Sequence, residues 1–571
     1  MKKAKDVNGN MVDIENVLEE ESYYCIVCGG ELKVKLGSKR QYFSHLIGKN
    51  DECEAKLNTI LQSIHHNKKE ENNYEIDSSD LFDNKYNNLV EDINGFTDEQ
   101  LSVINSKEKR IKVDSKAGTG KTSVCEEYIK VNSDKSILYM IFNKSMAEEA
   151  KERFGHLSNV EIRTTYSMAY QAIGYQYKHK LTTSYNLFNV ANALNIRMYK
   201  PEDYKYVSDL ESLFTLYLSS WYYDIDSFIN SLPYKDITPN HKKDLKKLFN
   251  ESKRLDNDVK ITHGFYFKLW HLSKPDLSNY DVIVIDEVQD SQPAMIDIIR
   301  ENKAVDTIMI VGDAQQNIYG FMNTINGLKV LNEGWVEYNL TKSFRIGNTN
   351  AHLIKSCMSE VLGRDFNIEG YNKKQAIVKE VDITNPHYKL CRYNSTIIDS
   401  AIVSALEGKK IYIEGGSAGV DFTYIKLIYD FWKYGKQHYS LKKYNDYSHM
   451  INTARKINDI SILQAHKLIT EHKDNLLFKL KSIEENLVKD WELADICYST
   501  IHKSKGMTIT IPVIIADDVI DLNEVSPSTL EKHEQEVNLL YVALSRSKNK
   551  IQVPSSVLNM YEGLKYNKES I

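Results

Sequence analysis

Apolar stretches of strand length, each followed at once by polar residues, recur along the chain. They include Ile137–Ile141, Val282–Ile285 and Ile308–Val311, which are too short to be membrane-spanning helices. Segments with helical spacing lie between them, so we predict α/β units with parallel strands. Ligands of parallel sheets bind beyond the carboxyl ends of the strands. The polar residues at these ends are therefore expected to meet on one edge.

The clearest strand-to-helix transition lies between Val113 and Thr122. A short apolar run leads into a glycine-containing turn, and a helical pattern follows. In such a loop, backbone amides hold phosphates, Lys121 reaches the β- and γ-phosphates, and the Thr122 hydroxyl binds Mg²⁺. Ser115 replaces the first glycine of the usual pattern. The residues predicted to bind nucleotide here are Ser115, Ala117, Gly118, Thr119, Gly120, Lys121, Thr122 and Ser123.

Acidic residues follow the strand Val282–Ile285. Asp286 is predicted to hold Mg²⁺, directly or through water, and Glu287 to polarise the attacking water. Gln289 is expected to sense the γ-phosphate or to link to another domain. A buried strand with a solvated acidic end is the structural alternative, but the phosphate-binding loop upstream favours the catalytic interpretation.

Two further segments add candidate nucleotide and nucleic-acid contacts. Gln100 lies upstream of the loop, and its amide can pair with both N6 and N7 of adenine. After the strand Ile308–Val311, Gln316 fits a nucleotide-coupled role. Tyr319 and Phe321 either stack on bases, a contact worth roughly 1–3 kcal/mol each, or pack within the fold.

The composition is that of a globular protein with several domains. The chain has 571 residues, of which 42% are hydrophobic and 27% charged, and its net charge is −6. This length predicts about three to five domains. Because the net charge is slightly negative, nucleic-acid binding must depend on a local basic groove. No apolar stretch follows Met1, so we expect neither a signal peptide nor membrane association, and a cytoplasmic location.

Cysteine and histidine residues near the start of the chain have the spacing of a zinc site. Cys25, Cys28, His45 and Cys53 can form a tetrahedral site for structural Zn²⁺. A redox C-x-x-C pair or unrelated cysteines are the alternatives. The residues around this set resemble the zinc-binding segment of CoiA-like competence proteins over some 30 residues. Such a module binds either nucleic acid or a protein partner.

Eight motifs occur in an order that resembles the UvrD/Rep/PcrA branch of superfamily 1 helicases. The resemblance covers most of the chain, from about residue 95 to about residue 550, and is closest to the F-box DNA helicase group, although no F-box is recognisable. The motifs are Gln100, Gly118–Thr122, Phe142–Lys144, Asp286–Asp290, Gly312–Gln316, Leu340–Arg345, Thr500–Gly506 and Asn538–Arg546.

The resemblance implies an α/β fold with two RecA-like P-loop domains and ATP between them. It places Phe344 on adenine, Arg345 at the γ-phosphate, and Arg546 as an arginine finger. Together with Lys121, Asp286, Glu287 and Gln316, these two arginines form the implied catalytic set. The implied nucleic-acid contacts, in addition to Tyr319 and Phe321, are Phe142, Asn143, Thr164, Arg392, Asn394 and His502.

The function implied is an ATP- and Mg²⁺-dependent DNA helicase that moves 3′ to 5′ on single strands and acts at duplex junctions. The alternative is a DNA-stimulated ATPase that senses or remodels complexes without unwinding. Three positions depart from the family pattern. Ser123 replaces an arginine that flanks adenine, Tyr166 replaces a histidine, and Thr508 replaces a glutamate that contacts ribose.

The expected domain order places a zinc-binding module first. It covers residues 1–60 and is followed by a linker at 61–90. The first RecA-like domain is expected at 91–345 and the second at 346–571. Each is expected to carry a mainly helical insertion, at about 175–275 and about 420–490 respectively.

Overall fold

The computed structural model describes most of the chain after residue 94 and five short strands before it. The chain divides into two compact units, Met1–Gly95 and Phe96–Ile571. The described residues are 3–5, 11–13, 23–24, 31–36, 41–45, 95–141, 144–183, 185, 187–233, 237–371, 377–457, 459–522, 525 and 529–569.

The five strands of the first unit form one antiparallel sheet. They are β1 (Lys3–Lys5), β2 (Met11–Asp13), β3 (Tyr23–Tyr24), β4 (Glu31–Leu36) and β5 (Gln41–His45). Their order in the sheet is β2-β1-β3-β4-β5. Three residues of the predicted zinc site, Cys25, Cys28 and Cys53, lie outside the described residues. Of His45, only its position at the end of β5 is described.

Six strands of the second unit form a parallel sheet, the first sheet. They are β6 (Arg110–Ser115), β7 (Ile137–Ile141), β8 (Val160–Thr164), β9 (Val282–Ile285), β10 (Thr307–Gly312) and β11 (Val336–Leu340). Their order is β11-β6-β10-β9-β7-β8. Both faces of the central strands are covered, since Tyr139 of β7 lies in one buried cluster while Leu138 and Met140 lie in another.

Neighbouring strands of this sheet bring their polar ends together. β10 pairs in parallel with β6 on one side and with β9 on the other. Ser115, Asp286 and Asp313, which end or directly follow these three strands, therefore lie along one edge. This is the convergence that the pattern of apolar runs predicts.

The elements up to β11 form the first half of this unit, and the later elements form the second half. The helices of the first half lie around the first sheet or in a separate helical cluster. They are α1 (Asp98–Ile104), α2 (Lys121–Val131), α3 (Lys144–Phe154), α4 (Thr165–Ala172), α5 (Leu187–Leu194), α6 (Pro201–Ser219), α7 (Ile225–Ser231), α8 (Pro239–Lys253), α9 (His263–Leu272), α10 (Pro293–Glu301) and α11 (Gly327–Val330). Helices α5 to α8 share a buried core of their own, which includes Val207, Phe214 and Leu245.

A second parallel sheet follows. Its strands are β14 (Ile377–Val378), β15 (His387–Cys391), β16 (Ile411–Ile413), β17 (Ile496–Thr500), β18 (Val513–Ile515) and β19 (Ile551–Gln552), and they lie in the order β14-β19-β18-β15-β17-β16. A parallel pair precedes it, formed by β12 (Lys342–Gly347) and β13 (Glu369–Tyr371). The structure is therefore a mixed α/β fold with parallel sheets, as the sequence predicts.

The helices of the second half are α12 (Asn348–Lys355), α13 (Asn394–Leu406), α14 (Gly416–Gly419), α15 (Phe422–Tyr434), α16 (Tyr447–Ile457), α17 (Ile460–His472), α18 (Leu476–Asn486), α19 (Ile501–Ser504), α20 (Leu530–Leu544) and α21 (Ser555–Glu569). The loops of the first sheet pack against this half, because Ala117 and Ile318 share a buried cluster with Val537 and Tyr541 of α20. Within the described ranges, no helix has both the length and the apolar character needed to cross a membrane.

Candidate nucleotide site and nucleic-acid groove

The loop between β6 and α2 has the geometry of a phosphate-binding loop. The strand ends at Ser115 and the helix begins at Lys121. Gly118 and Gly120 have φ angles of +76° and +81°, which residues with a Cβ rarely adopt. A Cβ on Gly118 would also collide with Arg345. The loop therefore requires glycine at both positions, and the first amides of α2 have no partner within the helix.

Side chains from distant parts of the chain hold this loop. The hydroxyl of Tyr541 in α20 accepts a hydrogen bond from the amide of Ala117 at 2.9 Å and donates one to Asp313 Oδ2 at 2.8 Å. Ser343 Oγ donates to the carbonyl of Ala117 at 2.7 Å. The loop is thus bonded to α20 and to β12, and Tyr541 also connects it to Asp313, which directly follows β10.

Lys121, Glu287 and Asp286 form a buried charge cluster at the carboxyl end of β9. Lys121 Nζ forms an ion pair with the Glu287 carboxylate. Burial lowers the pKa of Lys121, but the charges of Glu287 and Asp286 outweigh it, and the pKa is raised. Burial raises the pKa of Glu287, but the charges of Lys121 and of Lys505 outweigh it and bring that pKa to about 2. Lys121 is therefore a cation and Glu287 an anion at neutral pH.

Asp286 and Thr122 are the residues that suit a magnesium ion. Asp286 is 4% exposed, and its two oxygens accept hydrogen bonds from Tyr139 Oη at 2.6 Å and from the amide of Glu287 at 2.8 Å. Each oxygen keeps a second lone pair for a cation or its water. Burial raises the pKa of Asp286, so a nearby cation would stabilise its charged form. A carboxylate and a hydroxyl beside a phosphate-binding loop are ligands that Mg²⁺ prefers.

Three predicted residues form one hydrogen-bond network on the same edge. Gln289 donates to the Glu287 carboxylate and accepts from the amide of Asp313 at 3.2 Å. Gln316 Nε2 donates to Asp313 Oδ2 at 2.8 Å. The structure therefore connects Glu287 through Gln289 to Asp313 and Gln316, although these residues come from two different strands.

A pocket of about 290 Å³ opens at the N-terminus of α2. Phe344 lies at its wall, since its amide donates to the carbonyl of Gly118 at 2.8 Å. Arg153 and Lys548 also line the pocket, and the sequence interpretation did not include them because no motif contains either residue. The lining residues are Gly118, Thr119, Gly120, Lys121, Thr122, Ser123, Arg153, Phe344, Arg345, Thr508 and Lys548.

Gln100 lies beneath the phosphate-binding loop and is 5% exposed. Its Nε2 donates to the carbonyl of Thr119 at 3.0 Å, and its Oε1 accepts from the amide of Thr97 at 2.9 Å. A glutamine amide has two donors and two acceptor lone pairs, so one of each remains. Gln100 is not among the residues that line the pocket, so its pairing with adenine N7 and N6 stays a prediction.

The two arginines predicted to reach the phosphates have different surroundings. Arg345 lines the pocket, whereas Arg546 does not. The Arg546 guanidinium donates to the carbonyls of Val542 at 2.8 Å and Met507 at 3.3 Å, and to Ser545 Oγ at 2.7 Å. Burial and the positive charge of Arg345 lower the pKa of Arg546 to about 9. Arg546 therefore stays charged at neutral pH, and its guanidinium is bonded to groups of α20, of Ser545 directly after it and of the loop that contains Met507.

A groove of about 1710 Å³ lies along α3, α4 and α9. The predicted contacts Thr164 and Phe321 both line it, and Phe321 is 68% exposed. Glu148 also lines the groove, 3.5 Å from Lys144. The other aromatic and basic residues of its lining are Tyr166, Tyr170, Tyr175, Tyr185, His263, Tyr266, Lys151 and Arg163. Of these rings Tyr175 is exposed like Phe321, and exposed rings beside cations are suited to bases and phosphates of a single strand.

Phe321 links this groove to the second half of the unit. Its ring lies 5.6 Å from the ring of His502 and 6.2 Å from that of Tyr319. Tyr319 donates to the carbonyl of His502 at 3.1 Å. Burial lowers the pKa of His502 to about 4, so this imidazole is neutral at physiological pH. Tyr319, Phe321 and His502 therefore form one aromatic cluster at the groove.

Lys505 connects the same region to the nucleotide site. It forms a buried ion pair with Asp290, which ends the short helix after Glu287, and it donates to the carbonyl of Gln316 at 2.6 Å. Its ammonium also lies 5.0 Å from the centre of the Tyr319 ring. One cation from the second half thus contacts two loops of the first sheet.

The remaining predicted nucleic-acid residues lie elsewhere. Arg392 donates two hydrogen bonds to the Glu536 carboxylate, at 2.8 and 2.7 Å. Asn394 begins α13, and its Oδ1 is buried with no hydrogen-bond partner among the described residues. Phe142 and Asn143 lie outside the described residues.

Comparisons with known proteins identify related chains. A family profile described as an AAA domain matches residues 100–322, which include the phosphate-binding loop and β10. F-box DNA helicase 1 of Gallus gallus is 29% identical over 514 residues, which cover 81% of this chain and 49% of that protein. F-box DNA helicase protein 1 of Schizosaccharomyces pombe (strain 972 / ATCC 24843) is 28% identical over 518 residues, which cover 82% of this chain and 58% of that protein.

The chain is therefore similar to F-box DNA helicases over most of its length, and this predicted resemblance is confirmed. The matched part of those relatives is 49% and 58% of their own length, so the chain spans about half of each. The resemblance of the first residues to CoiA-like proteins has no counterpart in these matches and stays a prediction.

Proposed function

We propose that this chain, similar to the F-box DNA helicases, is an ATP-dependent DNA helicase or translocase that moves 3′ to 5′ along single-stranded DNA. One continuous set of contacts carries the proposal. Asp290 follows Glu287 and is paired with Lys505. Lys505 lies near His502 in the chain, and the His502 ring contacts Phe321 in the groove. A change at the nucleotide site thus has a short path to the groove.

The comparisons support the chemistry proposed for each site. The AAA profile spans the phosphate-binding loop and supports ATP as the nucleotide. The relatives are named as DNA helicases, which supports DNA as the polymer in the groove. The 3′ to 5′ direction rests on the resemblance to the UvrD/Rep/PcrA branch alone.

The proposed hydrolysis depends on residues that the edge of the first sheet brings together. The phosphates of ATP attract the Lys121 ammonium, which is otherwise paired with Glu287. Glu287 is then released from this ion pair to orient and polarise the attacking water. Mg²⁺, when held by Thr122 and Asp286, neutralises charge on the phosphates. Arg345 and Arg546 add positive charge as the two halves approach.

The groove is proposed to hold single-stranded DNA and to meet duplex junctions. Its lysines and arginine attract phosphates, and the exposed rings of Tyr175 and Phe321 present flat surfaces to bases. Because Lys505 of the second half contacts two loops of the first sheet, closing the halves on ATP is expected to shift the Phe321 and His502 rings. This shift would couple each turnover to movement along the strand.

The domain layout forms part of the proposal. We assign the two parallel sheets to two RecA-like domains, at about 91–345 and 346–571, with helical insertions at about 175–275 and 420–490. Residues 1–60 are proposed as a Zn²⁺ module built on Cys25, Cys28, His45 and Cys53, followed by a linker at 61–90. That module is proposed to bind DNA or a protein partner.

Strand displacement beside ATPase measurements tests this function. We expect ATP turnover that single-stranded DNA stimulates, and displacement of a labelled strand from a duplex with a 3′ tail but not from one with a 5′ tail. Absence of DNA-stimulated turnover would contradict the proposal as a whole. Stimulated turnover without displacement would instead support a remodelling ATPase, the alternative that the sequence left open.

A further inference from the structure

Arg153 lies in the nucleotide pocket, although the proposed hydrolysis does not use it. It belongs to the last turn of α3, and its side chain is 38% exposed. Its Nη2 donates to Ser123 Oγ at 2.7 Å, and its Nε donates to Glu126 Oε2 at 2.5 Å. Ser123 follows Thr122 directly in the first turn of α2, so Arg153 is fixed beside the phosphate-binding loop.

The contacts of Arg153 hold its planar group in one orientation. Burial raises the pKa of Glu126, but hydrogen bonds from Lys130 and Arg153 outweigh it and lower that pKa, so Glu126 stays an anion. Hydrogen bonds to Nε and Nη2 occupy the edge of a guanidinium and leave its flat faces for packing. The bonds to Glu126 and Ser123 are of this kind.

The same contacts make Arg153 a poor ligand for phosphate. Its charge is already paired with the Glu126 carboxylate. By contrast, Lys121 and Thr122 line the same pocket and are the residues proposed to contact phosphate and metal. A charge-paired planar group at the pocket wall is suited to packing on a flat π-system such as a nucleobase. Phe344 offers a second flat surface in the same pocket.

We propose that Arg153 is a specificity-determining residue that packs its guanidinium against the base of the nucleoside triphosphate, with Phe344 as the other flat surface. This inference rests on the proposed function, because it assumes that a nucleotide binds in this pocket. It assigns the base contact to α3, outside every motif that the sequence interpretation used. Because packing depends on ring area, we expect purine nucleotides to bind more tightly than pyrimidine nucleotides.

Binding of Mg²⁺-ATP and of Mg²⁺-tripolyphosphate to the full chain tests the inference. Tripolyphosphate has the same phosphates but no base. We expect Arg153→Ala to weaken ATP binding by about tenfold and tripolyphosphate binding by less than about twofold. Arg153→Lys is expected to behave like Arg153→Ala, since an ammonium has no flat face. Glu152→Ala, at an exposed neighbour on α3, is the matched control and is expected to bind ATP as the wild type does.

The outcomes separate this inference from the proposed function. If the wild-type chain binds neither ligand, that result contradicts both the proposed function and this inference. If the wild type binds both ligands and Arg153→Ala binds ATP as tightly as the wild type does, only this inference is overturned. An equal loss for ATP and tripolyphosphate would also overturn it, because it would place Arg153 on the phosphates. ATP binding at the wild-type affinity in Arg153→Lys would also overturn the inference.

Discussion

Lys505 and Asp290 form an ion pair in which the two side chains are only 8% and 3% exposed, and the pair joins the two parallel sheets of the second unit. Removing one partner of such a pair leaves the other charge buried, which costs about 3–5 kcal/mol. Lys505 also donates to the carbonyl of Gln316, so the contact spans both loops that follow β9 and β10. We therefore expect the relative position of the sheets to depend on the charge of Asp290.

That dependence predicts that pH affects the coupling between DNA binding and ATP turnover. Burial raises the pKa of Asp290 to about 6, although the charge of Lys505 opposes the shift. The carboxyl is charged above this pH and binds a proton below it, so the ion pair is lost as pH falls. We expect DNA stimulation of the ATPase to decline between about pH 7 and about pH 5.

Asp290→Asn is the control for this pH effect, because its amide does not titrate there. Stimulation in the variant is expected to be weak at every pH in this range and to lack the step near pH 6. Turnover without DNA, measured in parallel, separates coupling from general loss of activity. A variant with the same pH step as the wild type would refute the assignment to Asp290.

Glu287 and Lys121 are expected to be essential for turnover. Glu287→Gln keeps the size of the side chain but removes the charge that polarises water, so we expect kcat to fall by at least about 100-fold. ATP binding is expected to persist in this variant, because the phosphate contacts remain. Lys121→Ala is expected to lose both binding and turnover.

Steady-state ATPase assays and equilibrium nucleotide binding measure these two effects. Glu333→Gln is the matched control, since Glu333 is exposed in the loop before β11 and belongs to none of the motifs. Turnover above a few per cent of the wild-type rate in both site variants would show that the catalytic set is wrongly assigned.

Tyr541→Phe is expected to loosen the loop from α20. The substitution removes one hydroxyl, so the Ala117 amide loses its partner and Asp313 Oδ2 keeps only the hydrogen bond from Gln316. Each buried group that loses its hydrogen bond costs about 1–3 kcal/mol. We expect a lower free energy of unfolding in urea and weaker ATP binding, because the loop loses its contact with the second half.

Tyr338→Phe provides the comparison for this change. Tyr338 lies in β11 and donates one hydrogen bond, to Ser106 Oγ at 3.0 Å, away from the loop. Tyr338→Phe is expected to lower the free energy of unfolding by about 1 kcal/mol and to leave ATP binding unchanged. If both variants bound ATP equally well, Tyr541 would be a packing residue and no more.

Glu536 is expected to restrain DNA binding. It accepts two hydrogen bonds from Arg392, a predicted nucleic-acid contact, and a DNA phosphate must compete with it for the same guanidinium. Glu536→Gln weakens that competition, so we expect single-stranded DNA to bind several-fold more tightly at low salt, with a smaller gain at high salt.

Fluorescence anisotropy with a labelled single strand measures this change. The matched control is Glu534→Gln on the same helix, because Glu534 is paired with Lys329 rather than with Arg392. Equal gains in both variants would point to a general reduction of negative charge. Unchanged affinity in Glu536→Gln would exclude Arg392 as a phosphate contact.

The sequence predicts contacts that depend on short stretches of chain. Lys121 and the glycines of the loop follow β6, and Asp286 directly follows the buried strand β9. Parallel pairing through β10 then brings them together, which the apolar pattern implies. The fold class and the edge that carries the charge cluster were predictable for this reason.

The sequence does not predict contacts that depend on packing between distant helices. Arg153 meets Ser123 because α3 packs beside α2, and a lone arginine in a charged helix has no distinguishing pattern. Tyr541 reaches Ala117 across most of the chain. That Glu536 binds both donors of Arg392 is likewise visible only in three dimensions. These side chains lie at junctions whose geometry no local spacing encodes.

The closeness of Arg345 and Arg546 has a thermodynamic consequence. Their repulsion contributes to the lowered pKa of Arg546, so it raises the energy of the ligand-free chain. A polyanion that binds beside Arg345 lowers this repulsion. A ligand that binds only the folded chain also stabilises it by mass action, by about 2.7 kcal/mol at a ligand concentration 100 times its Kd. Nucleotide binding alone, without hydrolysis, should therefore raise the melting temperature of the protein.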